Sequence, residues 1–111
     1  MKVAIALAKD QRAVYQGPFG HAPYYAVFEV HQGDGCQEIE RIENPFAREE
    51  GGNKPAKLKT LLAGTQLWIG RRFGHDDPHH HHHPAPPVPT RRTEAESLAA
   101  VLKELGCAST T

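Results

Sequence analysis

Apolar residues fill every position from Val3 to Ala8, between Lys2 and Lys9. A short unbroken run of this kind predicts a buried central strand. Lys9 to Pro23 loses the pattern, and Gly17-Pro18 and Gly20 mark it as loop. Tyr24 to Val30 is aromatic and β-branched and predicts a second strand. His31 to Cys36 is a glycine-bearing turn, after which Gln37 to Glu43 sets Ile39 and Ile42 among charges. The two strands predict a hairpin with one wet face, ended by Asn44-Pro45.

The period then changes. Phe46 to Asn53 is a charged loop and Pro55 suits a first helical turn. Ala56 to Ala63 carries Leu58, Leu61 and Leu62 on one face, and Gly64 stops it. Thr65 to Gly70 predicts the next strand. Asp76 to Pro89 holds five histidines and five prolines, which suits neither an ordinary helix nor a central strand. Thr93 followed three residues later by Glu96 reads as a capping box. It predicts a last helix that buries Leu98, Val101, Leu102 and Leu105 and stops at Gly106.

Strand, hairpin, helix, strand, loop, helix predicts one α/β domain over residues 1–111. Its expected architecture is a small mixed sheet of four to five strands with two main helices and a His/Pro-rich loop at 75–89. The first strand and Leu67–Ile69 are expected as parallel neighbours with a right-handed crossover. The segments that follow them then leave one edge of the sheet side by side, where open α/β sheets bind ligands.

Both segments contain the same triplet, Phe19-Gly20-His21 and Phe73-Gly74-His75, and the second leads into His79-His80-His81-His82-His83. Seven of the eight histidines therefore fall in two places. Neutral imidazole is the commonest metal ligand near neutral pH, so the pattern points to a metal or a metal cluster. In extended chain, alternate residues of the run share a face and can share Ni²⁺, Cu²⁺, Zn²⁺ or Co²⁺.

Composition narrows the partners. Thirteen basic and thirteen acidic residues cancel, leaving no basic excess for general nucleic-acid binding. The apolar run at the amino terminus is too short for a signal-peptide core or a membrane span, so a soluble cytoplasmic protein with no membrane partner is expected. Cys36 and Cys107 form no CxxC pair and are expected as small structural residues rather than a disulfide. Two thiolates also fall short of the four in a conventional iron–sulfur site. Catalysis is not expected: GxSxG, P-loop, dinucleotide and HExxH patterns are missing, and Val3 to Ala8 offers no carboxylate for divalent ions.

Phe19 to Val30, followed by Glu40-Arg41-Ile42-Glu43-Asn44-Pro45, resembles the dinitrogenase iron–molybdenum cofactor biosynthesis family of nitrogenase accessory-factor-like domains. The resemblance covers roughly residues 1–74. It implies a ribonuclease-H-like fold and a carrier of a preassembled iron–sulfur–molybdenum cluster or precursor, working between cluster donor and acceptor proteins. Nitrogenase-branch members often place a histidine just before the Phe-Gly pair; Pro18 stands there in this chain, and His21 is the substitute. Relatives continue past the fourth strand with a helix and a last strand, where this chain has its histidine and proline run.

The expected cluster-contacting residues are His21, Gly20, His75, Gly74 and Arg71, with His79, His80, His81, His82 and His83 as a separate divalent-metal site. The alternative for His21 is a hydrogen bond within its own turn. Two other functions stay open from the residues: metal-ion binding or buffering by the histidine run, and an interaction module whose Pro-rich arm docks on a partner.

Overall fold

The computed structural model describes residues 1–31, 35–48, 54–73 and 88–107. Among them, five strands form one sheet: β1 Lys2–Leu7, β2 Tyr24–His31, β3 Gly35–Glu43, β4 Leu67–Gly70 and β5 Thr90–Arg92. Their order across the sheet is β3-β2-β1-β4-β5. β2 runs antiparallel to both β1 and β3, whereas β1–β4 and β4–β5 are parallel. Helix α1 spans Lys54–Leu61 and helix α2 spans Leu98–Glu104.

β1 is central, with Val3 to Leu7 fully buried, and its alternation divides the core in two. Val3, Ile5 and Leu7 pack with Phe28, Ile69, Val101 and Leu102 on the α2 face. Ala4 and Ala6 lie on the α1 face with Phe19, Tyr25, Leu58, Leu62 and Trp68. The small side chains on that second face leave room for large rings.

The fifth strand, which the expectation of four to five left open, is present. Thr90 to Arg92 pairs with Trp68 to Gly70, and Pro89 accepts a hydrogen bond from the Trp68 amide at 3.0 Å. Val88 packs against the α1-face core. The end of the Pro-rich stretch is thus part of the sheet's edge; its earlier residues lie outside the described residues.

Two expectations are corrected. The cap of α2 is Ser97, whose hydroxyl accepts from the Ala100 amide at 3.2 Å. Thr93 instead closes β5: its amide donates to Gly70, and its hydroxyl accepts from Ala95 and donates to Glu104. Strand pairing holds the chain extended past Thr93, so the helix starts later than the capping pattern implies.

The second correction concerns the cysteines. Cys36 and Cys107 are joined by a disulfide, with Cα atoms 5.5 Å apart. The register of β3 is the reason. Pairing shifts at Val27/Phe28, which face Glu40 and Glu38, so Ile39 is an extra bulged residue, 43% exposed. From Ile42, which packs on the α1 face, six residues of regular strand would put Cys36 on that same face. The single inserted residue reverses the parity, and Cys36 lands on the α2 face with Cys107.

Candidate functional site

The loop after β1 returns to the sheet through a single 3-10 turn, Phe19–His21. Phe19 anchors it. Its ring is 2% exposed and stacks on Trp68, with centroids 5.1 Å apart and planes 9° apart, and on Phe73 at 5.2 Å and 18°. Tyr25 tilts against it at 4.9 Å. Gly70 makes the space: a Cβ there would stand 3.2 Å from Phe19 Cδ1.

The end of β4 lies alongside. Pro18 pairs with Arg72 as a parallel bridge, and the Phe19 amide donates to the Arg72 carbonyl at 2.8 Å. The segments leaving β1 and β4 are therefore neighbours at the carboxyl ends of two parallel strands, as far as Phe73. Gly74, His75 and His79 to His83 lie outside the described residues. Among the described residues no group of three or more His, Cys, Asp or Glu side chains is placed to hold a metal ion.

His21 is half-buried, and its Nδ1 lies 2.9 Å from the Ala47 carbonyl. A carbonyl only accepts, so Nδ1 is the donor of this bond. This bond runs to the turn after β3 and not within the turn of His21 itself. That turn is held in place as well: Lys57 of α1 lies 5.3 Å above the Phe46 ring. Gly20 is half-buried between Phe19 and His21.

Arg71 faces the other side of the sheet. Its Nη2 donates to the Ala95 carbonyl at 3.3 Å, and its Nε is buried without a hydrogen-bond partner. Arg72 is exposed beside Pro18.

A buried polar pair escaped the sequence reading. Asn44 is 6% exposed, and its Nδ2 donates to Ala22 O at 2.8 Å, Gly20 O at 3.2 Å and the Tyr25 hydroxyl at 3.2 Å. Tyr25 donates in turn to Phe19 O at 2.6 Å. Burial first, then the neighbouring Tyr15, push the Tyr25 phenol far above its ordinary range, so it stays protonated and donates. The available signal was an asparagine directly before a proline at a strand end, which reads as punctuation.

A small mixed α/β sheet with two segments leaving parallel strand ends side by side is the class of arrangement at which open α/β sheets bind ligands. The particular family follows from comparison: the chain belongs to the dinitrogenase iron–molybdenum cofactor family, which matches residues 1–106. Members are accessory and carrier proteins rather than catalysts, and membership points to a role in biosynthesis of that cofactor. A comparison with curated proteins finds no match. No described helix is long and apolar enough to cross a membrane.

Proposed function

We propose that this protein carries a preassembled iron–sulfur(–molybdenum) cluster, or its precursor, on the edge beyond β1 and β4, passing it from a donor to an acceptor protein. The observation that supports this most is the Phe19–Arg72 backbone bond, which sets the two loops side by side. A cluster that brings its own sulfides asks for only one or two imidazoles, some N–H groups and positive charge. His21 is the first contact in this reading and His75 the second. Gly20 and Gly74 allow close approach, while Arg72, exposed beside Pro18, offsets negative charge; Arg71, turned to the other face, takes no part. The run His79 to His83 adds a labile divalent-metal site.

The strand order, with β2 alone reversed, supports a ribonuclease-H-like topology. Cytoplasmic residence belongs to the same reading, since donors and acceptors of such clusters work where thiols are kept reduced. The Cys36–Cys107 bond weighs against that residence.

Mixing the metal-free protein with isolated cofactor or precursor tests the reading. Co-elution that is lost in His21→Ala supports it. No co-elution, together with tight Ni²⁺ or Zn²⁺ uptake lost on deleting residues 79–83, overturns it in favour of metal buffering.

A further inference from the structure

We propose that Cys36 is a thiol-exchange site: a low-molecular-weight thiol enters the Cys36–Cys107 disulfide at Cys36 Sγ, and its entry releases the carboxyl end of α2 from the sheet. The inference stands apart from the carrier reading. The two cysteines sit in unlike places. Cys107 is 7% exposed in the α2-face core with Val101 and Leu102, and its amide donates to Leu102 O at 2.9 Å. Cys36 is half-buried at the start of β3, an edge strand of the sheet. Its neighbour Gly35 gives no shield, since a Cβ there would meet nothing within 4 Å. Access decides which sulfur of a disulfide is attacked, so the reagent enters at Cys36 and Cys107 is the leaving group.

The incoming thiolate attacks Cys36 Sγ, the bond to Cys107 breaks with its electron pair on Cys107 Sγ, and that sulfur takes a proton. A mixed disulfide then stands on Cys36. A second thiol resolves it: Cys36 leaves as a thiol and the reagent as its own disulfide, having delivered one electron pair. The Cys36–Cys107 bond is the covalent hold between β3 and the carboxyl end of α2. The amino end of α2 is tied separately. There the Leu98 amide donates to Arg12 O at 2.7 Å, the Val14 amide donates to Glu96 O at 3.0 Å, and Ala13 bridges to Ser97. Opening the disulfide thus frees one end of the helix and leaves the other in place.

Reduced glutathione added to the folded, oxidised protein tests the proposal, with an iodoacetamide quench, peptide mass mapping and Trp68 fluorescence as the check on folding. One glutathione is expected on the Cys36 peptide, with Cys107 alkylated by the quench. An adduct on Cys107 overturns the proposal. So does a folded protein that gives neither adduct nor alkylated cysteine while the urea-unfolded protein gives both. Cys107→Ser cannot re-form the bond and is expected to take glutathione on Cys36 from glutathione disulfide; a folded variant that takes none is equally fatal. In the opened protein the Gly106 and Cys107 amides are expected to lose protection from exchange while Val14 and Leu98 keep theirs, and unchanged protection at Gly106 and Cys107 overturns the release. None of these outcomes bears on cluster co-elution, whose failure removes the carrier reading and leaves the exchange site standing.

Discussion

The Phe19 amide donates to the Arg72 carbonyl at 2.8 Å, and this one backbone bond joins two segments more than fifty positions apart at the edge where they leave the sheet. It survives only while the Phe19 ring stays seated among Trp68, Tyr25 and Phe73. Phe19→Ala is expected to cost about 3–5 kcal/mol in urea unfolding, the range for emptying a buried aromatic site. Gly70→Ala attacks the same seat from below and should cost roughly 1–3 kcal/mol, because the added methyl crowds a ring with rigid neighbours. A neutral Gly70→Ala would mean that the ring is not held as described.

Tyr25 should make stability fall in alkali. Its phenol ionises in the unfolded chain near the ordinary 10.0 and at higher pH in the folded one. The folded state therefore keeps the proton longer. The contribution is complete below the unfolded value and is lost as pH rises toward the folded one. Urea midpoints between pH 8 and 11 are expected to drop in wild type and to drop less in Tyr25→Phe. At neutral pH that variant should itself be less stable by about 0.5–1.5 kcal/mol, since it removes the Tyr25 bond to Phe19 O and leaves that oxygen the longer bond from the Ala22 amide at 3.3 Å.

The bulge at Ile39 and the Cys36–Cys107 disulfide should stand or fall together. Deleting Ile39 returns Cys36 to the α1 face, and thiol titration of the denatured, unreduced protein is expected to find two free thiols where wild type has none. Reducing the wild-type bond, which closes a separation of 71 residues, should cost about 2–5 kcal/mol and lower the melting temperature. An unchanged disulfide in the deletion variant would show that strand parity does not control the pairing.

Ser97 and Thr93 offer a contrast at the start of α2. Ser97→Ala removes the hydroxyl that accepts from Ala100 and is expected to cost about 1 kcal/mol. Thr93→Val, nearly the same shape, should act on a different place. It removes the bonds to Ala95 and Glu104 and should speed amide exchange at Ala95 while leaving the Ala100 amide as protected as before.

Local pattern alone determined the β1 run, the β2–β3 hairpin, the leucine face of α1 and the parallel placing of β1 beside β4, because burial leaves its period in the chain. It also singled out His21. Tertiary structure decided the rest. Thr93 looked like a cap but was claimed by β5, since sheet pairing outweighs a local capping preference. The cysteines found one another through the parity of a bulge, which has no local sequence mark. Asn44 became a buried tie to Gly20 and Ala22 because folding brings the end of β3 beside the turn that precedes β2, and a buried amide is decided by what surrounds it rather than by its neighbours in the chain.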